Sequence, residues 1–123
     1  MPMRVFKTKT FAAAAKKATI TDADLWKTVQ EVVNGQADDL GGGVWKKRLN
    51  ENRHRSIILA KGRSYWVYQF LFAKKDQGNI TEKELAAFKK LAEAYKGLSK
   101  DQVQLLLDEK DLLEICNGEK IQK

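Results

Sequence analysis

The chain has 123 residues, a formal net charge of +7, 43% hydrophobic and 32% charged residues. This length suits one domain, and no apolar run approaches the roughly 20 residues that a membrane-spanning helix needs. The start of the chain lacks the apolar stretch and cleavage site of a signal peptide. We therefore expect one domain over residues 1–123, located in the cytoplasm and not in a membrane.

Two helices are predicted near the amino terminus, after a short first strand over Arg4 to Phe6. The alanine-rich segment from about Thr8 to Ala18 favours a helix because alanine is the best helix former. Thr21 and Asp24 have the spacing of a capping box, and Asn34-Gly35 predicts the end of this second helix. Its apolar residues recur at helical spacing, which predicts that it packs on a sheet.

Three strands are predicted after the glycines at positions 41–43. The segments Val44 to Leu49, Arg53 to Ala60 and Ser64 to Phe72 are rich in apolar, β-branched and aromatic residues. Lys61-Gly62 is predicted as the tight turn between the last two strands. This order indicates an antiparallel meander.

Two further helices are predicted to begin after Thr81 and Ser99, because each is followed three residues on by Glu or Gln. Leu112 to Cys116 is predicted as either an edge strand or mobile chain. The predicted fold is α+β, a small mainly antiparallel sheet with an N-terminal helical pair packed on one face and C-terminal helices. Residues from about 99 to 123 are predicted to be a C-terminal helical extension and acidic tail.

Basic residues are concentrated between Val44 and Ser64. Seven cations against one acid, Glu51, give this segment a charge of +6: Lys46, Lys47, Arg48, Arg53, Arg55, Lys61 and Arg63. Strand alternation puts Arg53 and Arg55 on one face, and we expect Lys46 and Arg48 of the neighbouring strand on the same side. Such a surface favours a polyanion as partner, although cations are also common on solvated strands.

Other candidate residues are few. The chain has one histidine and one cysteine, too few for a zinc site without carboxylates, so we expect neither a metal nor a cofactor. Alternation puts Trp66, Tyr68, Phe70 and Phe72 on one face of the third strand. Trp66, Phe70 and Phe72 are predicted to belong to the hydrophobic core. Tyr68 is left open between core and a functional phenol, and His54 is a secondary candidate for proton transfer.

Several short motifs follow one another in a characteristic order: Asp39 to Leu49 with its three glycines, Arg55 to Ala60, Val67 to Lys75, and the helix entry Asn79-Ile80-Thr81. In this order and spacing they resemble the RelE/HigB-like toxins of bacterial type II toxin–antitoxin modules. The resemblance covers about Arg4 to Leu98. The link over residues 50–54 is shorter than in many relatives.

The resemblance implies an endoribonuclease that cuts messenger RNA, commonly on the ribosome, and a helix-turn-helix antitoxin that neutralises it. By position, Lys46, Lys47 and Arg48 match the basic strand of the family, Arg55 its strand arginine, and Lys74 or Lys75 the cation that follows. Cleavage without a metal would use the 2′-hydroxyl of RNA as the nucleophile, with cations stabilising the phosphate. The hypothesis assigns catalysis to Lys46, Lys47, Arg48, Arg55, Lys74, Tyr68 and His54, and RNA binding to Arg53, Arg63, Lys61 and Lys75.

Other functions remain open for the same charges. One is a non-catalytic RNA- or ribosome-binding module, and another is an inactive toxin homologue that only binds its antitoxin. A third is a basic groove that receives an acidic partner, which could even be the acidic stretch from Asp101 to Glu119. The nuclease hypothesis requires that cations from three adjacent strands converge on one hollow.

Overall fold

The computed structural model describes residues 4–61 and 65–115, and of Lys61 the backbone alone. The strands are β1 (Arg4–Thr8), β2 (Asp38–Gly41), β3 (Val44–Leu49), β4 (His54–Lys61), β5 (Tyr65–Ala73) and β6 (Leu112–Ile115). The helices are α1 (Lys9–Lys17), α2 (Asp22–Val33), α3 (Glu82–Lys96) and α4 (Lys100–Asp108). No helix in these two ranges is both long enough and apolar enough to cross a membrane.

The six strands form one mixed sheet in the order β2-β3-β4-β5-β1-β6. β1 runs parallel to β5, with Val5 opposite Trp66, and the other pairings are antiparallel. The α+β class is confirmed, whereas the mainly antiparallel description fits only in part. The parallel pairing arises because β1 inserts between β5 and β6, and the long connection from β1 to β5 contains both N-terminal helices and the strands β2 to β4.

Helices α1 and α2 cover one side of the sheet, which we call the α1 face and which carries Ile58, Trp66 and Tyr68. Phe11 of α1 and Leu25 of α2 are fully buried against it. The predicted capping box is present, since Thr21 and Asp24 each accept a backbone hydrogen bond from the other. Both N-terminal helices thus pack on this face, and the prediction of an N-terminal helical pair fits in part.

Helices α3 and α4 cover the opposite side, which we call the α3 face and which carries Ile57, Leu59 and Phe72. Both predicted capping boxes are present, at Thr81 and at Ser99. The ring of Phe88 in α3 lies 5.7 Å from the ring of Phe70. This helix therefore covers the middle of the sheet, and at the end of the same face Arg48 is exposed whereas Arg55 is buried.

Strand β5 has an irregularity that changes which aromatic residues share a face. Ile57 pairs with Phe70 but Ile58 pairs with Tyr68, so Gln69 is an extra residue in β5. Trp66 and Tyr68 belong to the core of the α1 face, whereas Phe70 and Phe72 pack on the α3 face. The prediction that all four aromatic residues share one face is therefore wrong, because a bulge reverses the alternation.

The two outer strands complete the sheet. Strand β2 was not predicted from the sequence. It ends at the first of the glycines at 41–43, which connect β2 to β3 with positive φ angles of 87°, 62° and 84°. β6 confirms the edge-strand alternative, since it pairs with β1 and Glu114 accepts two hydrogen bonds from the guanidinium of Arg4, at 2.9 and 3.0 Å. The acidic residues of α4 and β6 therefore lie toward the edge opposite β2 and β3. Cys116 and the end of the acidic tail lie outside the described residues.

Candidate functional site

The turn between β3 and β4 shapes the basic end of the sheet. Asn50, Glu51 and Asn52 adopt left-handed backbone conformations with φ of 54°, 56° and 70°. Such conformations cost a non-glycine residue about 1–2 kcal/mol. Hydrogen bonds offset part of this cost, since the backbone N–H and Nε of Arg53 both donate to the Asn50 carbonyl, at 3.1 and 3.2 Å. The turn holds the ends of β3 and β4 in register.

Two arginines meet directly across β3 and β4. Arg48 pairs with Arg55 in the strand register, so both side chains lie on the α3 face with Cβ atoms about 4.5–5.5 Å apart. Arg48 is exposed, whereas Arg55 is 8% exposed and its Nη1 donates to the carbonyls of Asn52 at 2.8 Å and His54 at 3.2 Å. Among the described residues, no carboxylate forms an ion pair with either guanidinium.

Lys46 extends this pair along β3. It pairs with Ile57, so it lies on the same face as Arg48. Its Nζ donates to Asn79 Oδ1 at 3.2 Å and lies 3.8 Å from the carboxylate of Asp38, which is largely exposed. The expectation that Lys46 and Arg48 share the side of Arg55 is confirmed. We call Lys46, Arg48 and Arg55 the anion patch.

Two other predicted catalytic residues lie away from the anion patch. Lys47 pairs with Ser56 on the α1 face, where its Nζ donates to the Gln36 carbonyl at 2.7 Å and lies 3.1 Å from Glu31. Tyr68 is fully buried and its hydroxyl donates to the Leu25 carbonyl at 2.7 Å. Burial raises the pKa of Tyr68 above its ordinary value. Tyr68 therefore cannot reach a phosphate held at the anion patch, whereas Lys47 also lines a hollow of about 390 Å³ together with Lys46 and Arg48.

The remaining cations at this end of the sheet line a hollow on the α1 face. His54 pairs with Ala73 on the α1 face and lines a hollow of about 640 Å³, which we call the α1 hollow. Its lining is Lys17, Ala18, Asn52, Arg53, His54, Ala73, Lys74 and Lys75. Lys17 carries no sequence signal for this position, because only the packing of α1 brings the last residue of that helix beside β4 and β5.

The far end of β4 holds the last two predicted cations. Lys61 pairs with Tyr65, seven residues from His54 and therefore about 23 Å along the strand at roughly 3.3 Å per residue. Its side chain and all of Arg63 lie outside the described residues. The predicted convergence of all the cations on one hollow does not hold, because they occupy both faces and both ends of the sheet.

The arrangement suits anion binding. Arg48 and Arg55 are opposite each other in the strand register, and two guanidinium groups that reach the same phosphate can hold it through several charge-assisted hydrogen bonds. In residues 4–61 and 65–115, no three His, Cys, Asp or Glu side chains form a group that could hold a metal ion.

Comparisons with known proteins identify the family. Searches of curated proteins and of solved structures gave no significant match. Residues 3–115 match the family described as the RelE toxin of the RelE/RelB toxin–antitoxin system. The match runs from β1 to β6 and includes both the anion patch and the α1 hollow. The chain therefore belongs to the RelE toxin family and is the toxin of a toxin–antitoxin module.

Proposed function

We propose that this toxin is an endoribonuclease that cuts messenger RNA at the anion patch without a metal ion. The observation that supports it most is the pairing of Arg48 with Arg55. Like charges directly opposite on neighbouring strands destabilise a sheet, and here no carboxylate of the described residues neutralises them. A phosphate bound between the two guanidinium groups would offset this repulsion.

The proposed reaction needs charge stabilisation above all. The 2′-hydroxyl of one nucleotide attacks its own 3′-phosphate and loses its proton, the bond to the 5′-oxygen of the next nucleotide breaks, and that oxygen is protonated. The products are a 2′,3′-cyclic phosphate and a 5′-hydroxyl end. Arginine stays protonated in proteins, so Arg48 and Arg55 would stabilise the charge that develops on the phosphate. Lys46 is the amine of the anion patch that can exchange a proton.

Arg55 is oriented before RNA binds. Two backbone carbonyls hold its Nη1, and Nε and Nη2 have no hydrogen-bond partner within the described residues. A fixed guanidinium loses little conformational freedom when the phosphate arrives, which favours the transition state. Arg48, which is exposed, would close on the phosphate from the solvent side.

The partners that we propose are messenger RNA on the cytoplasmic ribosome and a helix-turn-helix antitoxin. Arg48 of the anion patch is exposed, so an acidic segment of an antitoxin has access to its guanidinium. Such a segment would inhibit by taking the place of the phosphate.

Replacement of Arg48 tests the proposal. Arg48→Ala removes one charge-stabilising donor, which typically costs about 2.7–4 kcal/mol of barrier, and cleavage should fall roughly 100- to 1,000-fold. Primer extension on cellular RNA after induction measures cleavage, and growth measures toxicity. Lys90→Ala, an exposed lysine in the middle of α3, is the matched control and should cut like the wild type. Cleavage by Arg48→Ala at the wild-type rate would contradict the proposal.

RNA binding without cleavage is the second candidate function. The positions of His54 and Tyr68 favour it, because both candidate proton donors lie away from the anion patch. In that case the induced toxin would retain salt-dependent RNA binding, and primer extension would detect no new 5′ ends. An inactive homologue that only binds its antitoxin would lack both properties.

A further inference from the structure

The α1 hollow has a composition that differs from that of the anion patch. Its lining includes Ala18 and Ala73, and an adjoining hollow of about 270 Å³, which Asp76 also lines, extends the apolar surface to Ala14 and Leu71. Its rim carries four cations, and none of the described residues lining the larger hollow is acidic: Lys17, Arg53, Lys74 and Lys75. An apolar floor under a cationic rim matches a ligand with a flat apolar part and a negative part.

His54 adds an oriented polar group to this hollow. The side-chain amide of Asn50 lies 3.1 Å from Nδ1 of the imidazole and 3.4 Å from the Ala18 carbonyl. When the amide donates to Nδ1, the proton of the neutral ring is on Nε2. Within the described residues Nε2 has no hydrogen-bond partner, so it is available to a ligand.

The hollow and the anion patch lie back to back. His54 and Arg55 are consecutive in β4 and point to opposite faces. The exposed turn between β3 and β4 ends at Arg53. It is the edge at which the two faces of the sheet are closest to each other along the surface. A single strand of RNA that crosses this turn can contact both.

We propose that the α1 hollow binds one nucleotide of single-stranded RNA next to the nucleotides at the anion patch. This inference rests on the proposed function, because RNA is taken as the ligand. The base lies against Ala18 and Ala73 beside His54, and Lys17 and Lys75 hold its phosphate. The volume of about 640 Å³ lies in the range of about 300–1,000 Å³ that is typical of small-ligand pockets, and it exceeds what a bare phosphate needs.

The single histidine of the chain makes the test direct, because its imidazole signals in an NMR spectrum need no assignment. The probe is a short 2′-O-methyl oligoribonucleotide, which lacks the attacking hydroxyl and cannot be cut. We expect the His54 signals of the full-length protein to shift and saturate as the probe is added. Fluorescence anisotropy with the same probe reports total binding.

Paired variants separate the hollow from general charge effects. Lys17→Gln with Lys75→Gln should weaken the affinity read from His54 about tenfold, the effect of losing roughly 1.4 kcal/mol of charged hydrogen bonding. The salt dependence of probe binding should also fall by about 0.7 in slope for each phosphate that the variant no longer neutralises. Lys90→Gln with Lys96→Gln removes the same charge from α3 and should leave the His54 response unchanged. Circular dichroism checks that both pairs fold.

Other results would overturn the proposal. Probe binding in the anisotropy assay without a shift of the His54 signals would reject the α1 hollow as an RNA-binding site. The proposed cleavage at the anion patch would not be affected, because Arg48→Ala tests it separately. A response to inorganic phosphate at the same concentration would reduce the hollow to a simple anion site. Tighter binding of a poly-glutamate peptide than of the probe would reassign it to an acidic protein. Absence of any probe binding would also reject it.

Discussion

The phenol of Tyr68 connects the sheet to a helix. The side chain is fully buried, and its hydroxyl donates to a carbonyl in the first turns of α2. Burial raises the pKa of this phenol above the ordinary value of about 10. The native state therefore keeps the proton at a pH at which the unfolded chain loses it.

Tyr68→Phe should separate two effects of this hydroxyl. At pH 7 we expect the free energy of unfolding to fall by about 0.5–1.5 kcal/mol, the value of one hydrogen bond. The stabilisation due to the raised pKa is complete below about pH 10 and is lost as the pH rises towards the native value, by about 1.4 kcal/mol per pH unit. Urea unfolding between pH 7 and 11 should thus show a flatter pH dependence in the variant. Parallel curves for the two proteins would contradict the assignment.

Glu51 is the residue of the β3–β4 turn least suited to its backbone conformation. It has a φ of 56° and neighbours that are asparagines, which tolerate the left-handed region better. Glu51→Gly should raise the free energy of unfolding by about 1 kcal/mol, because glycine has no Cβ to clash there. Glu51→Ala removes the same carboxylate but keeps a Cβ, so it should give no such gain. Equal urea midpoints for the two variants would contradict the explanation by backbone strain.

The edge strand β6 depends on one side-chain ion pair as well as on its backbone pairing. Arg4 binds Glu114 with two nitrogens and lies near the rings of Phe6 and Tyr65, at 5.1 and 5.5 Å from their centres. The carboxylate of Glu114 raises the pKa of Arg4 above its ordinary value. Since both side chains are about one-third exposed, solvent screens part of this attraction.

Glu114→Gln should loosen β6 before the rest of the sheet. We expect a loss of about 1 kcal/mol, between the values for exposed ion pairs and for buried charged hydrogen bonds. Amide hydrogen exchange should accelerate first in β6 and in its neighbour β1. Glu93→Gln removes a carboxylate from the exposed, 3.8 Å ion pair with Lys96 on α3 and serves as control. Uniform acceleration over all strands would argue against a local role for the Arg4–Glu114 pair.

Elements with local signals were predictable, and elements that depend on distant partners were not. The capping boxes that begin α2, α3 and α4 each lie within four consecutive residues, starting at Thr21, Thr81 and Ser99. The structure confirms all three. β2 begins with two aspartates, which disfavour strands, and it forms because β3 lies beside it. No local sequence pattern indicates that β1 pairs in parallel with β5.

The candidate site was predictable in its charge but not in its geometry. The density of cations in residues 44–64 indicated an anion-binding surface, and alternation placed Lys46 and Arg48 with Arg55. Alternation alone could not show that Lys47 is held by Glu31 of α2, nor that Lys17 joins His54, because both depend on how the helices pack. The bulge at Gln69 likewise moved Tyr68 away from Phe70 and Phe72.

The molecule as a whole carries positive charge on both sides of one end of its sheet. The anion patch lies on the α3 face and the α1 hollow behind it, and Lys47 between them is the cation that a helix carboxylate compensates. Folding thus brings many cations together, and only some of them lie near a carboxylate, so a bound anion would offset the repulsion that remains.

Sulfate should therefore stabilise the folded protein. We expect the Tm to rise by roughly 2–4 °C more in sodium sulfate than in sodium chloride of equal ionic strength. Sulfate also stabilises proteins in general because it is excluded from their surfaces. Arg48→Ala keeps that general effect and any sulfate bound in the α1 hollow but loses the arginine pair, so its Tm should rise less than that of the wild type. An identical rise in both proteins would show that the arginine pair holds no anion.

The central place of β1 also affects when the molecule can assemble during translation. This strand is made first, yet its neighbours are β5 and β6, so a growing polypeptide cannot complete the sheet until residues beyond 111 have left the ribosome. Pairings between such distant segments form slowly. We expect the nascent chain to complete its fold only after β6 has left the ribosome.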